Sequence, residues 1–582
     1  MWPLISFLVV AWLAVAPVGL AQERPTVIEV GLLIDGSGGD PIKDAVIVIE
    51  GKRVKAVGKK GAVNIPQGAR VIQAGDKTAF PGLIDSHVHY KEWQGELYLN
   101  HGVTTALAIG SEPIEWIVAQ KEGIAKSKIA GPRIFAAGPH FNSPREGERS
   151  SQRSARDTIS RLRFEVQAKN AEEAKKAVRE LHARGADIIK IFEDSTPEVI
   201  RAATEEAKKL GLPAGGHSID VYMSGENGFT FIEHSHAIVA TSIKDPKKRE
   251  ELHNRRTSRR NPLPTPEFHF YAEPENFDEI IRFMVGRNIH WGPTITTTWR
   301  ALTPKRDQHK ERELKFLKQP SLAYIPSYFR ANVESHFDAI EKITDQEFLK
   351  RCHAGYEKLS DFIRRFVKAG GRIHTGSDPN SVLPASGVHT EMEMLVDMGL
   401  RPMEALLAAT RNPAEMIGKE SELGVIKPGS FADLVVVDGN PLQDITKTRN
   451  IKMVFKEGTM LKLGYNKDFR NPIPRPFPDR PEPEIDDISP KVIAQPDAPL
   501  TLKVTGDNFL RTAVVTLDGK LVQTKNAMKS GGYPENFERT RELTATIDPK
   551  AIQRPGTYRI NVVHDGMGGS VSNSVYLVVK FR

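Results

Sequence analysis

Phe80-Pro81-Gly82-Leu83-Ile84-Asp85-Ser86-His87-Val88-His89 decides how this chain is read. Leu83 to His89 has the apolar content of a buried strand. On a strand, residues i and i+2 point to the same side. His87 and His89 therefore set two imidazoles side by side at a strand end, which is half of a metal site. Alone the pair is weak evidence, because strand-end histidines more often serve packing. Its weight comes from the further candidate ligands that follow at the ends of later strand-like segments.

Eight such segments are expected: Leu83–His89, Val103–Ala108, Arg133–Ala137, Asp187–Phe192, Leu212–His217, Phe229–His234, Asn288–Thr294 and Arg372–Asp378. Helix signals separate them. Asn170 with Glu173 reads as a capping box, and Gly185 can end that helix. Thr196 precedes Pro197 at a first helical position, and Gly211 closes the helix after Leu210. Strands alternating with helices in this number suit an α/β fold, a (β/α)8 TIM barrel, whose strand ends converge on one face. An open doubly wound sheet is the alternative, and strand count and ligand order favour the barrel. The candidate ligands in chain order are His87, His89, Lys190, His217, His234 and Asp378. Four imidazoles and a carboxylate form an N/O donor set suited to Zn²⁺ or a similar divalent ion. His236 would face the same way as His234 and is its rival. Lys190 could be an ordinary cation paired with Glu193 or Asp194.

The regions outside residues 81–418 read differently. Residues 22–80 and 419–463 carry short strands, among them Ala45–Glu50 and Arg53–Gly58 across a Gly51-Lys52 turn. Both flanks are expected to pair into one composite β-sandwich. Alternating prolines in 464–484 suggest an extended, semi-rigid spacer. Residues 485–582 are strand-like throughout, as in a small β-sandwich. Trp2 to Ala21 is almost wholly apolar, with Gly19 and Ala21 placed as for a cut before Gln22. Residues 1–21 thus read as a signal peptide of a secreted or periplasmic protein, with an uncleaved N-terminal anchor as the rival, since no Lys or Arg precedes Arg24. No other stretch is apolar enough to span a bilayer. The net charge of +8 over 582 residues is too mild to argue for a nucleic-acid partner. Cys352 is the one cysteine, which excludes an internal disulfide. Oligomeric state stays open.

These residues resemble the amidohydrolase superfamily, and within it the imidazolonepropionase-like and Xaa-Pro dipeptidase (prolidase-like) branch. The resemblance rests on Phe80–His89, Gly185–Ile191, Gly216-His217, Ile232-Glu233-His234, Thr375–Asp378, Arg401–Ala414 and Gly424–Val436. It implies two divalent metal ions, expected to be zinc, bridged by a CO₂-derived carbamate on Lys190. It puts His87, His89 and Asp378 on one ion and His217 with His234 on the other. His234 is preferred to His236 because Ile-Glu-His is the family form. A metal-bridging hydroxide then attacks an amide of a small-molecule substrate (a dipeptide, N-acyl amino acid or lactam), with Asp378 as general base. Phosphotriester or lactone hydrolysis at the same site is an alternative, as is a catalytically inactive surface binding protein. A deaminase-type site would favour one metal and a Glu soon after His217, where this chain has Asp220.

Substrate contacts are less legible. Pro139-His140-Phe141-Asn142 departs from the Gly-Gly-His-Gly form of such relatives, and His140 and Tyr222 are the candidates for substrate binding. The basic run from Lys244 to Arg260 could form a lid, select an acidic substrate, or be a solvated loop. The last region, through Ile488-Ser489-Pro490 and Val504–Phe509, resembles an IPT/TIG-type Ig-like domain.

Overall fold

The computed structural model describes residues 24–110, 112–143, 165–256, 263–379, 382–476, 482–510, 512–526, 539–564 and 570–582. The expected signal peptide, Arg259, Arg260 and residues 477–481 of the expected spacer lie outside the described residues.

Leu83–Val88, Val103–Ala108 and Arg133–Ala136 pair in parallel in that order. Ile189–Ile191, Ala214–Gly216, Phe231–Glu233 and His290–Gly292 form a second parallel run, extended beyond Ile189–Ile191 by His140–Asn142 and Glu165–Gln167. Backbone bonds link the two sets. The Asp187 N–H donates to Ala136 O at 2.7 Å, and on the far side Trp291 bridges in parallel to Ile373. The Ser86 N–H then donates to Thr375 O (3.0 Å) and the Asp378 N–H to His87 O (2.9 Å). The eighth expected segment, Arg372–Asp378, is therefore not a regular strand. Asp378 sits at φ 39°, in the left-handed region, which ends extended pairing there.

The intervening helices follow their sequence signals. Asn170 accepts the Glu173 N–H (3.0 Å) and Thr196 accepts the Val199 N–H (3.4 Å) ahead of Pro197. The Glu173 carboxylate takes the Lys169 N–H instead of closing a full capping box on Asn170. Helix Ala171–Ala183 buries Ala174, Val178 and Leu181, one stripe at helical spacing. That stripe joins a core with Ile134, Ile189, Ile191, Trp291, Phe362 and Phe366.

The two flanks meet in a single seven-stranded sheet, ordered Thr459–Met460, Ile451–Lys456, Leu434–Asp438, Arg70–Pro81, Thr26–Leu33, Ile42–Glu50, Arg53–Lys59. Arg70–Pro81 pairs on both edges and joins the halves, and the far edge folds back, with Arg53 bridging Phe431 and both flanks sharing one core of Ile28, Ile47, Val54, Leu434 and Phe455. That strand runs straight into Leu83–Val88, so the His87 strand is anchored from below. Arg133 ties the sheet to the central unit. It pairs with Asp433 and Glu457, and its guanidinium and that of Arg53 flank the Phe431 ring at 4.2 and 4.3 Å. Arg133→Ala leaves the buried Asp433 carboxylate without its cation. It is expected to cost about 3–5 kcal/mol in chemical denaturation.

Residues 484–580 build two sheets. One holds Glu484–Ser489, Leu500–Leu510, Arg539–Ile547 and Gln523–Asn526; the other centres on Gly556–His564, Val514–Leu517 and Val575–Lys580. They share a core of Leu502, Val504, Leu543, Ile560, Val562 and Leu577. The proline-rich stretch departs from the expected spacer. Its first half docks on the central unit: Gly464 N–H donates to Asn100 (2.6 Å), and the Asn471 amide donates to Glu92 O (3.1 Å) and Gln120 (2.8 Å). Phe469 packs against Tyr324 with ring centroids 5.3 Å apart. Phe469 and Asn471, just before the prolines, and Ile473 between them supply the apolar surface and amide groups that docking needs.

Candidate metal centre

Four strand ends and the turn at Asp378 bring their side chains together. Ligand atoms of His87, His234 and Asp378 lie within 4.8 Å of one another. His89 Nε2 stands 3.1 Å from Asp378 Oδ1. His87 Nδ1 faces Glu233 Oε2 at 2.7 Å; a carboxylate can only accept, so Nδ1 carries the proton and Nε2 is left as a lone pair. His234 and His217 face each other Nε2 to Nε2 at 2.9 Å, a gap in which one proton or one cation belongs. The Lys190 amine is buried and has no hydrogen-bond partner among the described residues. The pairings open to it in sequence are not made: Glu193 instead meets His236 at 3.2 Å and Arg256 at 2.9 Å. His236 opens the helix His236–Ser242, so the chain turns away from the strand line before reaching it.

The sequence pattern of the amidohydrolase family matches residues 78–461. The chain belongs to the amidohydrolase family. It is a hydrolase acting on carbon–nitrogen bonds. Ochratoxinase of Aspergillus niger is 21% identical over 513 residues, covering 78% of this amidohydrolase and 90% of the relative. Among solved structures, an Xaa-Pro dipeptidase with methionine bound in its active site aligns with a TM-score of 0.53 at 22% identity, over 75% of this chain and 100% of that one. Molinate hydrolase aligns with a TM-score of 0.53 at 20% identity, over 76% and 95%.

The electrostatics of the amidohydrolase suit cation binding. Burial holds His87, His217 and His234 well below the usual imidazole range, so they are neutral and able to ligate. Burial also pushes the Lys190 amine down to about 8, against the pull of Glu233, Asp378 and Glu112. Burial alone would raise Asp378; the imidazoles around it, with the His89 ring in hydrogen-bond contact at 3.1 Å, draw the carboxyl below its ordinary range. The donor set and the partnerless buried amine together fit a metal-bound arrangement better than a metal-free one, in which Lys190 would be a buried cation without a hydrogen bond.

Several residues of this centre were not among the expected ligands or substrate contacts. Glu233 precedes His234, and strand alternation would put it on the opposite side. His234 at φ 63° breaks that alternation, so neighbouring residues both reach the site. Thr294, at φ 45°, places Oγ1 2.6 Å from His234 Nδ1. Glu391, from the helix Ser386–Asp397, holds that turn by accepting the N–H groups of Ile295 (2.9 Å) and Thr296 (2.8 Å) and the Thr296 hydroxyl. Glu391→Ala strands those donors in a buried place. A loss of about 2–4 kcal/mol in thermal stability is expected, with weaker metal retention on dialysis.

His140 stacks on Phe192 at 3.7 Å, and Phe192 stacks on His217 at 4.1 Å, so His140 reaches the centre through a column of rings. Tyr222 does not join it: its ring packs edge-on against Phe283 at 4.8 Å. Asp220 caps the helix Val221–Glu226 and pairs with Arg249. In the basic run, Lys244 pairs with Glu279, Lys248 with Glu273, Arg249 with Asp220 and Arg256 with Glu193. Those four cations are neutralised locally, so they are not free to draw an acidic substrate.

Proposed function

We propose that this amidohydrolase uses two divalent ions, zinc by preference, to hydrolyse the amide of a dipeptide, N-acyl amino acid or lactam. His87, His89 and Asp378 would hold one ion, His217 and His234 the other, with a carbamate on Lys190 between them. The observation that carries the reading is the Lys190 amine, buried beside carboxylates and imidazoles with no bond of its own. Backbone bonds at both junctions of the parallel strands support closure as a (β/α)8 barrel.

When bound, the ions supply Lewis acidity, bringing the pKa of water to near ~7 and polarising a carbonyl. Glu233 and Thr294 fix the rings of His87 and His234, so the donor geometry is set before substrate arrives. Asp378 takes the proton as water oxygen bonds to the amide carbon. It returns that proton to the nitrogen as the C–N bond breaks. Phe192 and His140 wall one side and keep bulk water from the leaving group.

The test sets Xaa-Pro dipeptides, suggested by the similar dipeptidase, with N-acyl amino acids and lactams against lactones and a phosphotriester. Turnover of a member of the amide group at least about tenfold above the esters supports the reading. Preference for lactone or phosphotriester overturns it. We also read residues 1–21 as a signal peptide directing a secreted or periplasmic enzyme, and residues 485–582 as an Ig-like module. N-terminal sequencing of the exported protein checks the first.

A further inference from the structure

A cavity of about 510 Å³ lies between the helix Ile295–Trp299 with the turn after it, the end of the helix Ser327–Glu341, and the first half of the helix Gln346–Lys368. None of His87, His89, Lys190, His217, His234 and Asp378 lines it. It falls within the range of sites that enclose a small organic molecule.

Its walls are apolar: Trp299, Leu302, Ile340, Ile343, Cys352 and Tyr356. The Trp299 and Tyr356 rings meet edge to face at 5.4 Å, offering ring edges and faces to a third ring. The Cys352 thiol is buried and its pKa is pushed up to about 12, so it stays uncharged. Most charged side chains at the rim are matched: Lys305 pairs with Asp397 at 2.6 Å, Glu341 with Lys310 at 2.8 Å and Arg306 with Asp307 at 3.0 Å. Glu357 lies at the exposed mouth, so a charged group carried past it into the apolar depth would lose its hydration without meeting a counter-charge there. His353 and Glu357 also line the space and are exposed, so it opens to the surface beside them.

We propose that this cavity is a second binding site, separate from the metal centre, for a neutral apolar molecule built on two or three aromatic rings.

The test uses the full-length enzyme and N-phenyl-1-naphthylamine, a neutral probe that brightens in apolar surroundings. Saturable binding of about one probe per chain is expected, unchanged when the metals are chelated away, and at least about tenfold tighter than that of anionic anilinonaphthalene sulfonate. Ile343→Trp and Leu302→Trp fill the space and are expected to weaken binding about tenfold or more while hydrolysis persists. Unsaturable uptake, equal affinity in folded Trp variants, or loss of binding on chelation overturns the proposal. The chelation arm separates this outcome from any failure of the metal reading, because the probe site does not need the ions.

Discussion

Asp378→Asn is expected to leave the fold and most of the bound metal in place while lowering turnover by about 10²–10⁴-fold. The substitution is nearly neutral for the backbone. Asn is among the few residues that accept the left-handed conformation in which Asp378 sits at φ 39°. The Asp378 main-chain N–H keeps its bond to His87 O. The side-chain amide retains one oxygen toward His89, 3.1 Å away in the parent, so a ligand contact survives. What disappears is a carboxylate held ionised by His87 and His89, able to take and return a proton. Elemental analysis beside steady-state kinetics checks it. Metal content and turnover falling together would assign Asp378 to binding alone, and turnover near the parent value would remove it from the proton role.

The second large effect is expected from Lys190→Met. Its side chain fills the same buried volume without a nitrogen, so loss of folding is not the anticipated result. Metal content is expected to fall from about two ions per chain to about one or fewer, with turnover down by about 10³-fold or more. A dependence on pH and CO₂ accompanies this in the parent. Only the neutral amine reacts with CO₂, and burial brings Lys190 to about 8. Raising the pH from about 6.5 to about 9 therefore increases the reactive fraction. Reconstitution of metal-free enzyme is expected to speed up over that interval and to require bicarbonate. Reconstitution that ignores both pH and bicarbonate, with one ion restoring full turnover, counts against a carbamate.

Much of the candidate metal centre was legible because its signals are local. His87 and His89 share a strand side by simple alternation, and His217, His234 and Asp378 each close a short segment whose apolar run and flanking turns can be read in a few residues. The caps at Asn170 and Thr196 and the turn at Gly51-Lys52 are equally local. The pairing of both flanks was foreseeable from their matching strand character, while the strand order was not.

The amino-acid sequence by itself determined which donors exist, their order, and the periodic segments that deliver them, since these depend on spacings of a few residues. Tertiary structure alone decided that Glu233 turns His87, that Glu391 holds the turn bearing Thr294, that the cations near Lys244 are already paired, and that Phe469 and Asn471 clasp the central unit. Those outcomes depend on groups up to hundreds of positions apart meeting in low dielectric, and on left-handed residues such as His234 that override strand alternation. No local pattern encodes either.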